Sequence, residues 1–362
     1  MKGTVDKEGS SWFYVVDLGK DENGKRKRKK KRGFKTKKEA QQALTKLLHE
    51  VNSGTYVEPS GMKYGTYLHE WLEGKKHSLS VQTFTMYEIY AKAHILPVLG
   101  HTQLDKLTPI SIQKFVSNIR SKELADATVE RIYSIVNASL NTAVKMQLIP
   151  KNVASLIDKP KRNKNQLTIW DVYQVNKFLS TAKESPYYMT FFLAIMTGMR
   201  QGEILGLSWK DVDLNKGLLY ITQTLAHNGK SIIVGAKTKT SVRSIALSPS
   251  TIDALKEHQN NAGYNPYGLV VCSTTGTPVN PANLRREWLK LIKMSGIPQI
   301  RFHDLRHTHA SLMLKQGEHI KVVSERLGHS KIQMTLDTYT HIMPNMQKEA
   351  ASRFDNLISV TK

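Results

Sequence analysis

The residues whose chemistry is easiest to read lie in the stretch Arg301–Ile342. His303 and Arg306 stand three apart, a spacing that sets both on one face of a helix. His329 follows in a Leu-Gly-His turn, and Tyr339 stands ten residues further on in Asp-Thr-Tyr-Thr-His. A second arginine, Arg200, lies far upstream in Thr-Gly-Met-Arg-Gln-Gly-Glu-Ile-Leu. Together these types suit metal-free attack on a phosphodiester. The arginine fork binds two phosphate oxygens at once and stays charged, so Arg200 and Arg306 can neutralise them, and His303 and His329 can add donors. A tyrosine can attack phosphorus and store the bond as a phosphotyrosyl ester. The leaving 5′ oxygen then needs a proton, which a lysine on a hairpin can give as general acid. Lys239 is the first candidate, and Lys237 is close enough to be confused with it.

The elements that must position these groups come from a strongly basic chain. Its 362 residues carry 53 Lys and Arg against 30 Asp and Glu, a formal charge of +23. That balance is costly in self-repulsion unless a polyanion is the usual partner, which points to nucleic acid well ahead of an anionic membrane. No apolar run reaches 18 residues and no signal peptide opens the chain, so a soluble protein of the cytoplasm is expected. A single cysteine, Cys272, excludes an internal disulfide framework and a multi-cysteine zinc site, and reads as a buried small hydrophobe.

Three segments are expected, and the fold class is multidomain α+β. Residues 1–56 read as a small β-sheet followed by a helix. Trp12–Val16 is strand-like, Asp21–Gly24 is turn chemistry, and Thr36 with Glu39 three residues on predicts a capped helix through about Ser53. Between them run eight basic residues, Lys25, Arg26, Lys27, Arg28, Lys29, Lys30, Lys31 and Arg32, which a folded sheet would present to a DNA groove. After a linker around Pro59-Ser60-Gly61, residues 63–158 are helical throughout. The apolar stripes are Tyr67, Leu68, Trp71 and Leu72, then Val81, Phe84 and Tyr87, then Ile112, Phe115, Val116 and Ile119 behind a Thr108-Pro109 start, and finally Val129 to Val144. A second basic linker, Lys159–Asn165, includes Lys161 and Arg162, which can lie along phosphates. From 167 onward the chain mixes helices with a small antiparallel sheet. Thr168 with Asp171 resembles a helix start, Phe191–Met196 is a helix broken at Gly198, and Leu218–Thr222 is strand-like. Ile232–Val234 and Arg243–Leu247 flank Lys237–Ser241 as a hairpin, and everything after about Pro281 is helical. On this reading Arg243 faces solvent, His307 and His309 are structural or solvent-facing, and Asp304 caps or braces.

The boxes Thr197–Ile204, His303-Asp-Leu-Arg306-His307, Leu327-Gly-His329 and Thr338-Tyr339-Thr-His resemble those of the tyrosine recombinases, the phage-integrase family. They stand in the family's order within about 140 residues, and the resemblance extends over the whole chain. It implies that Arg200, Lys239, His303, Arg306 and His329 activate the scissile phosphate, with Tyr339 as nucleophile and Glu203 supporting the site from behind. It further implies an N-terminal arm-site module at 1–56, a core-site-binding domain at 63–158 and a catalytic domain at 167–362. The partners implied are double-stranded DNA at arm and core attachment sites, a homotetramer assembled on that DNA, a DNA-bending host factor and an excisionase. Location in the bacterial cytoplasm at the nucleoid follows. Neither metal nor cofactor is expected.

Three other readings compete. His303 and His307 have zinc-ligand spacing on a helix, but the zinc-protease pattern requires Glu after the first His and this chain has Asp304. A non-catalytic DNA-binding protein would be expected to have lost some of the six candidate groups, and all six are present. A host-type recombinase resolving chromosome dimers usually lacks an arm module, so the basic 1–56 segment favours the integrase of a temperate phage or integrative element. The apolar spacing of Ala350, Phe354, Leu357 and Ile358 suggests a C-terminal segment that packs on a neighbouring subunit.

Overall fold

The computed structural model describes residues 3–20, 24–53, 56–58, 61–161, 167–226, 228–235, 243–339, 351–352, 354–355 and 358. The chain divides into two compact units, Met1–Lys164 and Asn165–Lys362.

The first unit begins with an antiparallel sheet of β1 (Gly3–Glu8), β2 (Ser11–Lys20) and β3 (Arg26–Phe34), in that order. The period of two in β2 sends Tyr14 and Val16 to one face, where they pack with Leu44 and Leu47 of helix α1 (Lys37–Asn52). Thr36 caps that helix by accepting the Glu39 N–H at 3.1 Å, and the Glu39 carboxylate accepts the Lys35 N–H at 3.0 Å. The basic run forms β3 itself, so its charges alternate between the two faces of the sheet.

The helical part that follows comprises α2 (Tyr64–Lys75), α3 (Val81–Tyr90), α4 (Leu96–Leu99), α5 (Pro109–Arg120) and α6 (Asp126–Lys145). One face of α2 is aromatic, and its polar tips are tied to α6: Tyr64 Oη lies 2.8 Å from Ser139 Oγ, Tyr67 Oη donates to the Ser139 carbonyl at 2.6 Å, and Trp71 Nε1 donates to Thr142 Oγ1 at 3.0 Å. Thr108 accepts the Ser111 N–H at 3.1 Å and Pro109 opens α5, as the sequence predicts. Val81 departs from the expected stripe. It is 82% exposed because Ser80 caps α3 and leaves Val81 in the first turn, pointing to water.

In the second unit, α7 (Val172–Ala182), α8 (Tyr188–Thr197) and α9 (Gln201–Leu205) precede five short strands: β4 (Val212–Asp213), β5 (Leu218–Ile221), β6 (Gln223–Leu225), β7 (Ile232–Val234) and β8 (Arg243–Ala246). Then come α10 (Pro249–Asn260), α11 (Pro281–Ser295), α12 (Asp304–Lys315), α13 (Ile320–Leu327) and α14 (Ile332–Tyr339). An aromatic cluster anchors the core, with Trp288 centroids 5.4 Å from Trp170, 4.8 Å from Phe178 and 5.6 Å from Phe191.

Three expectations change here. Helix α7 is capped by Asp171, not Thr168: Asp171 accepts the Gln174 N–H at 2.8 Å and Gln174 accepts the Asp171 N–H at 3.0 Å. The preceding Trp170 is fully buried and donates its N–H to Thr308 Oγ1 at 3.2 Å, which holds the chain out of the helix. Strands β7 and β8 are not partners in one hairpin. β7 pairs with β6, whereas β8 pairs with β5 in the sheet β4-β5-β8. Cys272 is only half-buried. No helix among the described residues is long and apolar enough to cross a membrane.

Trp288 is 2% exposed at the centre of the aromatic cluster and its Nε1 donates to the Ile300 carbonyl at 3.1 Å. Trp288→Ala is therefore expected to destabilise the second unit by about 3–5 kcal/mol, read as a lowered urea midpoint.

Candidate active site and nucleic-acid interface

Two glycine-ended helices set the frame of the site. α8 stops at Gly198 and α13 at Gly328, both left-handed with φ of +66°. A Cβ at Gly198 would lie 2.6 Å from the His309 ring, and one at Gly328 would lie 2.9 Å from Arg243, so both turns need glycine. The carbonyls exposed at these ends are met by cations. Arg306, 3% exposed, donates Nη1 to the Gly198 carbonyl at 2.8 Å and Nη2 to the Leu327 carbonyl at 2.5 Å. Arg326 donates to the Met196 carbonyl at 3.0 Å and to the Ala246 carbonyl at 2.8 Å. Arg243 donates to the Arg326 carbonyl at 2.8 Å, and Arg200 reaches the Gly328 carbonyl at 3.4 Å. Cations are favoured at helix C-termini, and here they tie α8, α9, β8, α12 and α13 into one cluster.

Among the described residues, one buried carboxylate enters that cluster. Glu203, 6% exposed, accepts the Arg200 N–H at 2.9 Å and Arg200 Nη1 at 2.7 Å, together with Arg243 Nη1 at 3.1 Å and Nη2 at 2.8 Å. Burial alone would raise its carboxyl, but the hydrogen bonds and charge of Arg243 and the charge of Arg200 bring it down to about 2. Arg200, Arg243 and Arg306 thus share a single buried anion, and the surplus is positive. Burial and the neighbouring Arg200 charge both lower the pKa of Arg306. An incoming anion would relieve both effects. The Arg200 side chain is 39% exposed and is the open edge of the cluster.

The tyrosine and histidines line the adjoining ground. Tyr339 ends α14 with no exposed surface, packed against Ala310, Leu314, Val323 and Leu327. Burial raises its phenol to about 12, with the Arg306 charge opposing. Its Oη lies 2.7 Å from His307 Nδ1. His329 Nδ1 lies 2.8 Å from Thr335 Oγ1; burial, then the charges of Arg306 and Arg200, lower this imidazole to about 4 and leave it neutral. With Thr335 donating to Nδ1, His329 presents Nε2–H as a donor. His303 immediately precedes α12 and is exposed, its ring edge-to-face with His307 at 5.3 Å.

The structure gathers Arg200, Glu203, His303, Arg306, His329 and Tyr339 in one unit, four of them on the C-terminal helices or their ends and Arg200 and Glu203 at the start of α9. Lys239 and Lys237 lie outside the described residues. Two side chains depart from the sequence reading. Arg243 is not solvent-facing; its side chain is 7% exposed and grips Glu203. His307 touches the Tyr339 hydroxyl, and its position directly after Arg306 was the only sequence signal for it. His309 is structural: its Nδ1 donates to the Ile195 carbonyl at 2.8 Å and its Nε2 accepts from Arg326 at 3.1 Å. Asp304 braces, accepting the Arg301 N–H at 2.8 Å and Arg301 Nη2 at 2.7 Å.

A second basic surface lies on the N-terminal sheet. Lys30 Nζ sits 3.8 Å from the Phe13 ring centroid and 3.0 Å from Glu8, Arg32 pairs with Glu8 at 2.8 Å, and Arg26 pairs with Asp17 at 2.6 Å. Lys29 donates to Tyr56 Oη at 2.9 Å and Lys27 pairs with Glu58. Lys25, Arg28 and Lys31 are exposed on or beside the same strand, as is Lys161 in the linker, whereas Arg162 lies outside the described residues. Aromatic and acidic neighbours hold several of these long side chains in place without removing the excess charge.

Comparison with known proteins covers all three segments. Residues 166–346 match the phage integrase family, residues 4–51 an arm DNA-binding domain, and residues 63–119 the N-terminal SAM-like domain of phage integrases. A tyrosine recombinase XerC-like protein of Caldanaerobacter subterraneus is 28% identical over 97% of each chain. The ICEBs1 integrase of Bacillus subtilis is 26% identical over 89% of this chain and 91% of that one. In fold, this chain is similar to the Tn1549 transposon integrase in complex with transposon right end DNA, with a TM-score of 0.72 and 20% identity over 81% of this chain and 99% of that chain. A lambda integrase dimer bound to a COC′ core site gives 0.61 and 19%, covering 92% of this chain and 93% of that chain.

The Glu203 network generates a stability prediction. A carboxyl held near 2 instead of its ordinary 4.5 contributes stability that is complete above about pH 4.5 and is lost as pH falls towards 2, on the order of 3 kcal/mol in all. Glu203→Gln should remove that acid-limb dependence from urea unfolding curves recorded between pH 7 and pH 3. Glu203→Ala, which leaves Arg243 buried without its anion, should cost about 3–5 kcal/mol at pH 7.

Proposed function

This chain belongs to the phage integrase family, and from that premise we propose that it is the site-specific recombinase of a mobile element, cutting and rejoining DNA through a 3′-phosphotyrosyl intermediate. The observation that carries the reading is the surplus of guanidinium charge over the single carboxylate Glu203, beside the hydroxyl of Tyr339, within the segment that matches the family. Arg200 and Arg306 bind the non-bridging oxygens of the scissile phosphate, and His303 and His329 add hydrogen-bond donors. Tyr339 Oη attacks phosphorus, and the bond to the 5′ oxygen breaks. Lys239 protonates that oxygen as it leaves. Glu203 and Arg243 fix the direction of Arg200. The ester conserves the phosphodiester energy, so religation to a new 5′ hydroxyl needs neither metal nor ATP. Because Tyr339 is fully enclosed, DNA binding must open a path to its hydroxyl before attack.

Around this centre, residues 1–56 act as an arm-site module, 63–158 as the core-site-binding domain and 167–362 as the catalytic domain. The sheet presents Lys25 to Arg32 to DNA, and Lys161 and Arg162 follow the phosphates between the other two domains. Two DNA-binding surfaces on one chain bridge distant sites by raising the effective concentration of the second. The match of residues 4–51 to an arm DNA-binding domain supports an element integrase over a host-type chromosome-dimer resolvase, although one relative is named XerC-like. Two strand exchanges require four active sites, so the working unit is a tetramer on DNA, in the bacterial nucleoid, with a DNA-bending host factor and an excisionase as accessory partners. Phe354 and Ile358, 61% and 47% exposed, mark the segment that would pack on the neighbouring subunit.

The decisive experiment incubates the protein with DNA flanking its own gene in EDTA, quenches with detergent and looks for a covalent adduct. Wild type should give one and Tyr339→Phe none. An adduct that persists in the Phe variant would move the nucleophile elsewhere, and tight binding without any adduct on nicked suicide substrates would leave a binding protein only. Deleting residues 1–56 should preserve core-site cleavage while abolishing integration between full attachment sites. Equal integration by the truncated protein would remove the arm-site role.

A further inference from the structure

The hydrogen bond between His307 and Tyr339 has no part in the scheme above, yet it meets the atom that must lose a proton. We infer that His307 is a catalytic residue, the base that takes the phenolic proton of Tyr339 as its oxygen attacks phosphorus and returns it on religation. This rests on the reading of Tyr339 as nucleophile.

The direction of the hydrogen bond follows from burial. Tyr339 has no exposed surface, and among the described residues its hydroxyl has no hydrogen-bond partner besides His307 Nδ1, at 2.7 Å. An enclosed hydroxyl proton needs an acceptor, so Oη–H donates and Nδ1 accepts. The imidazole is then the neutral Nε2–H tautomer, in the state a base must occupy. Its surroundings favour that state: burial first, then His303, lower its basicity to about 4, with Asp304 opposing and the Arg306 and Arg301 charges adding to the fall. The ring is half-buried and held in place, edge-to-face with His303 at 5.3 Å and 5.7 Å from the Tyr339 ring.

The chemistry requires such a group. A phenol raised to about 12 is ionised to only roughly 3 × 10⁻⁵ at pH 7.5, so waiting for free phenolate would be slow. A base in contact transfers the proton within the transition state. Of the other imidazoles, His329 is engaged at Nδ1 by Thr335 and His303 lies exposed ahead of the helix. His307 follows Arg306 directly on α12, so the phosphate ligand and the base ride on one rigid turn. In the forward step the Oη–H bond breaks and its proton passes to Nδ1. The oxygen's electron pair forms the P–O bond, and the pair of the old P–O bond leaves with the 5′ oxygen, which takes a proton from the general acid. The imidazolium formed is steadied by the Asp304 carboxylate and by the bound phosphodiester. In the reverse step the departing phenolate recovers that proton.

The test is single-turnover adduct formation by the full chain on a nicked derivative of whichever fragment gives the wild-type adduct. His307→Ala and His307→Gln are compared with wild type and Tyr339→Phe from pH 6.5 to 9. Both His307 variants should bind DNA as wild type does by gel shift and cleave it about 10²- to 10⁴-fold more slowly. The Ala variant should gain close to tenfold in rate per pH unit and be partly rescued by added imidazole, whereas Gln fills the space and should not be. A rate within threefold of wild type, or faster, would overturn the inference and make His307 a latch that merely holds Tyr339 in. A slow rate insensitive to both pH and imidazole would also overturn it, leaving a structural role. No adduct from wild type itself would instead count against the recombinase reading.

Discussion

The architecture of the second unit depends on guanidinium groups meeting the carbonyl ends of helices. Helix α8 leaves the carbonyls of Ile195, Met196 and Gly198 open, and His309, Arg326 and Arg306 satisfy them in turn. Helix α13 does the same with Arg326, Leu327 and Gly328, met by Arg243, Arg306 and Arg200. These bonds satisfy buried acceptors and bring the cations together, which nothing but an anion would otherwise justify. Glu203 supplies one negative charge, enough to hold Arg200 and Arg243 in register and too little to neutralise the cluster. The remaining deficit is one that the proposed phosphate would meet, on cations the scaffold already holds together.

Much of this placement is legible in the sequence because groups suited to the proposed chemistry cannot be exchanged for others. Arg200, His303, Arg306, His329 and Tyr339 stand out by type, by context and by the glycines that end the helices beside them. Helix starts announced by Thr36 and Thr108 were equally plain, since capping is a local interaction set by a spacing of three. Arg243 was not legible. It sits on a strand of alternating exposure, and its burial arises from Glu203 and from the Arg326 carbonyl, contacts 40 and 83 residues away in sequence. His307 failed for a similar reason: the separation of 32 residues to Tyr339 closes only when α12, α13 and α14 pack together. Strands β7 and β8 lie near one another in sequence, which suggests a hairpin, yet each pairs with an earlier strand. Trp170 shows the remaining failure, where a tertiary bond to Thr308 overrides a plausible local helix start.

The enclosed position of Tyr339 bears on how reaction and binding are linked. Its ring contributes to a small cluster with Ala310, Leu314, Val323 and Leu327, so opening that packing exposes apolar surface at a cost of about 2–3 kcal/mol by area alone. That cost is modest beside what several charge-assisted contacts to phosphates supply, and DNA bound along the basic surfaces can offset it. On the proposed mechanism, energy from contacts remote from the reacting phosphorus is used to present Tyr339, the use of binding energy that raises the rate of the chemical step instead of only tightening the complex. The arrangement also protects the phenol from wandering substrates: with its ring in the core, Tyr339 meets a phosphate only when the packing over its hydroxyl has opened. On the proposed mechanism an isolated protein is therefore inert although its cationic cluster is already formed, because the hydroxyl of Tyr339 stays enclosed until DNA contacts open the packing around it.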